Sequence, residues 1–226
     1  MASHHTVDLT TVAALSAGAS GVPDVLAGDM ARQLGVKGAV VLATCNRLEM
    51  YVQLHVSAHV NMVRELIADS IARTSGLDQE LVDSSFDVYA DDEAARHLLT
   101  VASGLESAVV GEREITGQVR RALAAAQAKA QEDGVPLPGE LVQLFEHAAH
   151  TARQVGQHTA LGAQGRSIVS VALDLADEVA EKDWSTRRAL IFGTGAYAGA
   201  TIAALRERGC TDIWVNSRSG LSLIHI

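Results

Sequence analysis

A chain of 226 residues with a formal charge of −9 and 48% hydrophobic residues has room for one large domain or two small ones, with apolar content sufficient for a core. The acidic balance argues against a general nucleic-acid-binding module, since such binding rests mainly on Lys and Arg neutralising phosphates. It leaves open recognition of a tRNA by shape through a local patch such as Arg120-Arg121. No apolar run approaches the ~18 residues of a membrane span, and residues 1–6 lack a signal-peptide pattern. Cys45 and Cys210 fit the reduced thiols of a cytoplasmic protein, not a disulfide framework.

Ser3-His4-His5-Thr6, on its residues alone, is a disordered N-terminal tail. Val7 to Ala17 reads as a helix capped near Thr6 or Asp8, and Val22-Pro23-Asp24 opens a second, Val25 to Leu34, stopped by Gly35. Gly38 to Ala43 is short, β-branched and apolar, a buried strand, with Met50 to Leu54 as its antiparallel partner. The connection Thr44-Cys45-Asn46-Arg47 then puts a cysteine at the exposed tip of two strands. There a thiolate can act as nucleophile, its anion favoured by the guanidinium of Arg47. Arg47 can alternatively clamp a carboxylate through its planar fork, and Cys45 can equally be an inert packed thiol. Spacing leaves all three readings open.

Ala58 to Thr74 carries the helical stripe Val60, Val63, Leu66, Ile67 and Ile71, and Ser85 to Tyr89 alternates as a half-buried strand. Helix, strand, strand, helix, strand is a split βαβ unit without its first strand. Asp91-Asp92-Glu93 starts a helix that carries His97 to about Val101. A lone helical histidine is, on general grounds, more often structural. Gly104 to Gly111 is a loop entering a long helix, Ile115 to about Gln131, whose charged start suits a helix N-terminus. Residues 132–139 form the clearest break, followed by helices Glu140 to His158 and Ser167 to Glu181. His147 and His150 lie at i, i+3 but no carboxylate–histidine constellation joins them, so no metal site is read there.

Arg188 to Phe192 reads as a buried strand, Ala196 to Arg208 as a helix and Asp212 to Val215 as a second strand. That context lends weight to the intervening Gly193-Thr194-Gly195-Ala196-Tyr197-Ala198 as a nucleotide turn. Gly193 permits the tight turn, Gly195 lets the backbone approach a pyrophosphate, and Ala198 stands in the third glycine position. Ser217 and Arg218 stand where an acidic residue would select NADH, which favours NADPH. Cys210, after Gly209, reads as structural.

Three blocks occur in an order that resembles one family. Thr44-Cys45-Asn46-Arg47-Leu48-Glu49 looks like the signature of glutamyl-tRNA reductases; residues 101–107, 111–112 and 115–119 are similar to that family's second block; residues 193–199 fall at its nucleotide fingerprint. Ser3-His4-His5-Thr6 resembles its Ser-His-basic-Thr motif, with His5 in place of Lys or Arg. The resemblance implies an α/β chain: an α+β catalytic domain of ferredoxin-like type over residues 1–138 (first strand missing), connecting helices over 139–182, and the first βαβ of a Rossmann NADP-binding domain over 183–220. Residues 221–226 depart from the family and read as a foreign or disordered tail.

It further implies that Cys45 takes glutamate from glutamyl-tRNA(Glu) as a thioester, which NADPH reduces to glutamate-1-semialdehyde, the first step of tetrapyrrole biosynthesis. His97 becomes an acid–base or positioning residue. Thr44, Asn46, Arg47, Ser107, Glu112 and Gln118 match substrate contacts. Arg113 and Glu114 replace the usual Pro-Gln after that glutamate, which alters the contacts there. Glutamate-1-semialdehyde aminomutase is the family's expected partner, and its homodimerisation domain lies beyond this stretch. Two other classes stay in view: a Rossmann dehydrogenase of a small substrate with a structural Cys45, and a non-catalytic module that binds tRNA or a protein partner.

Overall fold

The hairpin around Cys45 forms as its alternation requires. In the computed structural model β2 (Val36–Ala43) and β3 (Arg47–Leu54) pair antiparallel, with Val40 opposite Tyr51 and Leu42 opposite Glu49. The structure describes residues 1–112, 114–159, 161, 168–179, 183–193, 196–216 and 224–225. The chain divides into two units, Met1–Gly165 and Arg166–Ile226.

In the first unit both faces of the sheet are covered, so residues of either parity are buried. Ala39, Val41, Leu48, Met50 and Val52 pack with Leu15, Val22, Leu26, Val63, Ile67 and Ile71. These come from α1 (Leu9–Gly18), α2 (Val22–Ala27) and α4 (Val60–Ser75). Val40, Leu42 and Tyr51, on the opposite face, pack with Leu98, Val101, Val119, Leu123, Leu141 and Phe145. Those belong to α6 (Asp91–Ala102), α7 (Glu114–Glu132) and α8 (Gly139–His158). Two short helices, α3 (Asp29–Gln33) and α5 (Gln79–Ser84), complete this unit's described helices.

Five expectations are corrected here. First, a strand does precede the histidine pair: β1 (Ala2–Ser3) pairs with β3 at Leu48 and Arg47, giving the order β1-β3-β2. Ser3 is buried and its carbonyl accepts from the Thr6 and Val7 amides, so this segment is not a loose tail. Second, residues 85–89 are not a strand. Asp87 exchanges main-chain bonds with Met1 beside β1, but a two-residue neighbour offers no longer ladder. Third, the expected helix 25–34 breaks at Gly28, whose extended backbone separates α2 from α3. Fourth, α8 is part of the first unit and no mere connector, because Leu141, Phe145, Ala148 and Ala152 are core residues. Fifth, Leu9–Ala27 is long and apolar enough to pass as a membrane span, with mean hydropathy 1.2. Its Val12, Leu15, Ala19, Val22 and Leu26 are at most 3% exposed, as in a core segment.

In the second unit β4 (Arg188–Phe192) runs parallel to β5 (Asp212–Asn216) across α10 (Ala196–Glu207), the right order for a dinucleotide half-fold. Helix α9 (Ile168–Val179) precedes them. The strand β4 is not buried as expected: Leu190 and Phe192 are 49% and 76% exposed, so the described residues of this unit leave that face of the strand uncovered. Residues 224–225, expected in a tail, form β6 (Ile224–His225), antiparallel to β5, whose outer edge would otherwise carry unpaired backbone groups.

Candidate active site

The period of two along β3 decides the site. Leu48, Met50 and Val52 take one face, so Arg47, Glu49 and Tyr51 must take the other, which α6, α7 and α8 cover. Arg47 is 2% exposed and Glu49 1%. Burying such charges requires partners, and they are present. Glu49 Oε1 accepts from Arg47 Nη1 at 2.8 Å and faces His97 Nε2 at 3.0 Å, while Oε2 accepts from the Tyr51 hydroxyl at 2.6 Å. Burial alone pushes the Glu49 carboxyl up. The hydrogen bonds of His97 and Tyr51 and the Arg47 charge outweigh it, and the group lies below its ordinary value. The same carboxylate, together with burial, pushes the Tyr51 phenol up.

An ionised carboxylate only accepts, so His97 presents Nε2–H to Glu49 and keeps Nδ1 as its other nitrogen. The ring lies against Tyr89, centroids 5.0 Å apart and nearly parallel. Arg47 also donates through Nη2 to the Glu106 carbonyl, joining β3 to the loop of residues 103–112. Both terminal nitrogens of Arg47 are thereby engaged inside the protein, a different disposition from a fork held open for a substrate carboxylate.

That loop is folded back on itself by Gly104, at φ +76°, whose carbonyl accepts from the Gly111 amide at 2.9 Å. A Cβ at position 104 would sit 2.9 Å from the Glu112 carbonyl oxygen. Gly104→Ala is therefore expected to cost about 2 kcal/mol, from the left-handed backbone and the main-chain clash together, read as a lower midpoint in urea unfolding. The fold-back buries Ser107 and Glu112, at 8% and 7% exposure. Glu112 Oε1 has no hydrogen-bond partner among the described residues. Burial, then the Glu114 charge, hold the Glu112 carboxyl above its usual value against the opposing Arg47 charge. A buried acceptor of this kind is suited to a cationic ligand group.

At the turn, Cys45 is exposed, flanked by half-buried Thr44 and Asn46. The Thr44 amide donates to the Arg47 carbonyl at 2.9 Å and the Asn46 amide to Thr44 Oγ1 at 3.2 Å. The Asn46 carbonyl accepts from the His4 amide at 3.0 Å and faces His4 Nδ1 at 3.4 Å. His4 and His5 rings lie 3.9 Å apart, and His5 reaches Glu106 at 3.6 Å. Burial, then the neighbouring His5, lowers the His4 pKa, opposed by its bond to Asn46.

Of the residues read from sequence, the structure thus joins Arg47 to His97 through Glu49. It buries Ser107 and Glu112 in the loop that Arg47 ties down, and leaves Cys45 at an open turn. Glu114 opens α7 and Gln118 follows one turn later, both half-buried; Arg113 lies outside the described residues. Sequence reasoning missed Glu49, Tyr51 and His4. The shared parity of Arg47, Glu49 and Tyr51 was the available signal for the first two; for His4 it was the Ser-His-basic-Thr resemblance, which gave it no place in the fold without the β1–β3 pairing.

At the nucleotide turn, Gly193 has φ +110°, which side-chain-bearing residues rarely adopt, and its amide donates to the Asn216 carbonyl at 2.7 Å, tying the turn to β5. Helix α10 begins at Ala196, with Ala198 half-buried in its first turn. This strand, glycine turn and helix fit a dinucleotide at the described positions. Thr194, Gly195, Ser217, Arg218 and the side chains of Ala196 and Tyr197 lie outside the described residues. Cys210 is buried, as expected of a structural thiol.

Comparison with known proteins agrees with this layout. Residues 1–159 match the family model described as the N-terminal domain of glutamyl-tRNAGlu reductase. The chain is 59% identical over 222 residues to glutamyl-tRNA reductase of Kocuria rhizophila, covering 97% of this chain and 49% of that protein. It is 51% identical over 228 residues to that of Micrococcus luteus, covering 97% and 48%. The solved glutamyl-tRNA reductase of Methanopyrus kandleri superposes with TM-score 0.53 at 27% identity, over 96% of this chain and 48% of that one. The chain spans about half the length of these relatives.

Proposed function

The chain belongs to the glutamyl-tRNA reductase family, and from that premise we propose that it carries the acyl-accepting site for NADPH-dependent reduction of glutamyl-tRNA to glutamate-1-semialdehyde. The observation that carries the reading is the exposed Cys45 on a turn held by main-chain bonds from both sides. A thiol so placed can meet a bulky RNA ester without its own strands moving.

In the proposed step Cys45 Sγ bonds to the glutamyl carbonyl carbon, the ester C–O bond breaks, and the terminal ribose oxygen of the tRNA leaves with a proton. Thr44 and Asn46 hold the turn rigid, so the sulfur is positioned before the substrate arrives. Glu112, whose buried Oε1 has no partner among the described residues, receives the substrate ammonium, and Ser107 adds a hydroxyl. The Arg47–Glu49–His97 cluster fixes the loop that holds both. NADPH supplies hydride for reduction of the acyl group. Gly193 and the start of α10, with Ser217 and Arg218, are the residues that would hold it. The aldehyde product calls for a consuming partner, glutamate-1-semialdehyde aminomutase, and the thiol chemistry for a reducing, cytoplasmic setting.

The test is mass spectrometry after incubation with glutamyl-tRNA in the absence of NADPH. A hydroxylamine-labile glutamyl adduct is expected on the peptide containing Cys45, and none on Cys45→Ser. An adduct confined to Cys210, or none at all on the intact protein, rejects the thioester reading.

A further inference from the structure

Deepening that reading, and resting on Cys45 as the glutamyl acceptor, we propose that His4 is the proton-transfer residue for the Cys45 thiol. Glu49 holds His97 Nε2 at 3.0 Å, so that ring is tied into the buried cluster. His4 stands elsewhere. It continues the β1–β3 pairing one step past Ser3 opposite Arg47, which sets it against Asn46, the residue next to Cys45.

The ring's protonation pattern follows from its contact. The Asn46 carbonyl can only accept, so Nδ1, 3.4 Å away, carries the hydrogen of the neutral imidazole. Nε2 is then the nitrogen with a lone pair, in a ring held at the foot of the cysteine turn. The charged and titratable groups around it are His5 on its own segment, Arg47 on β3 and Glu106 on the 103–112 loop. Burial and the first two disfavour the imidazolium, the Asn46 carbonyl and Glu106 favour it, and the balance leaves the ring neutral and able to accept at neutral pH.

The proton balance is complete with these groups. As Sγ bonds to the acyl carbon, the thiol proton passes to His4 Nε2. As the ester C–O bond breaks, the same proton passes to the departing ribose oxygen, and the histidine ends neutral. Asn46 keeps the same donor throughout, so the ring need not turn between the two transfers.

The test compares wild type with His4→Asn in the full chain. Asparagine can still donate from near the Nδ1 position to the Asn46 carbonyl but offers no basic nitrogen, so a residue that merely holds the turn should tolerate it. Two rates are measured against pH: alkylation of Cys45 by iodoacetamide, located by mass spectrometry, and glutamyl-adduct formation. The proposal expects both to fall about tenfold at pH 7 in His4→Asn. Circular dichroism and the urea midpoint check the fold. If His4→Asn proves unfolded, His4→Gln, which also lacks a basic nitrogen, takes its place and must show the same loss in both rates. An alkylation profile that superimposes on wild type, or unchanged adduct formation, overturns the proposal. Alkylation needs no tRNA, so absence of any glutamyl adduct in wild type would count against the thioester reading, and the alkylation comparison would still decide the role of His4.

Discussion

Glu49→Ala is expected to destabilise the first unit by about 3–5 kcal/mol, the usual range for leaving one member of a buried ion pair without its partner. Arg47, 2% exposed, would keep only the Glu106 carbonyl of its two known partners, while Tyr51 and His97 would lose their shared acceptor. Glu49→Gln should cost less, because an amide still offers an oxygen to one donor and fills the same space. The urea midpoint should drop in that order with an unchanged slope, and glutamyl-adduct formation should fall with it because the Glu106 loop loses its tie. The pH dependence carries a sign as well. The Glu49 carboxyl lies below its ordinary value in the folded protein, so its stabilisation is fully present above about pH 4.3 and disappears as pH falls through the folded value. Wild type should lose stability over that acid range more steeply than Glu49→Gln. A Glu49→Ala protein with the wild-type midpoint would show that the cluster holds nothing together.

The same cluster shows what a linear reading could and could not reach. Cys45 was legible because the apolar runs on either side left residues 44–47 as the connection, although Arg47 proves to open β3. Arg47, Glu49 and Tyr51 were harder, since a glutamate in a strand usually faces water. Here helices cover both faces, and that is a fact about elements far along the chain: α1, α2 and α4 on one side and α6 to α8 on the other. Once both faces are known to be closed, the parity of Arg47, Glu49 and Tyr51 obliges them to pair with each other. His4 lay further out of reach, because a two-residue strand has no period and only its ladder to Leu48 and Arg47 defines it. The misplaced strand at 85–89 is the converse error. Its alternation is real, but β1 beside it is too short to support a ladder. In the second unit the strand–helix–strand order was legible, whereas the exposure of Leu190 and Phe192 on β4 was not. An apolar run predicts a covered strand only where something lies on both of its faces.

Glu112→Gln should separate stability from function. Glu112 is 7% exposed, its Oε1 lacks a partner among the described residues, and burial and Glu114 hold its carboxyl above the ordinary value. The sign is therefore opposite to that of Glu49. The folded protein binds this proton more tightly than the unfolded chain, so stability falls as pH rises from the ordinary carboxyl value through the raised one. Glutamine removes the charge and keeps the shape. At pH 7 the variant should be more stable by about 1–2 kcal/mol, the cost of an imperfectly paired buried polar group. Its affinity for glutamyl-tRNA, read as the concentration dependence of adduct formation, should weaken about 100-fold, because an amide cannot neutralise the substrate ammonium. A residue kept only for the fold would give the reverse: a less stable variant with unaltered concentration dependence. On the proposed reading the gain and the loss come from one atom, since the carboxylate that is costly to bury is the one that would pair with the substrate ammonium.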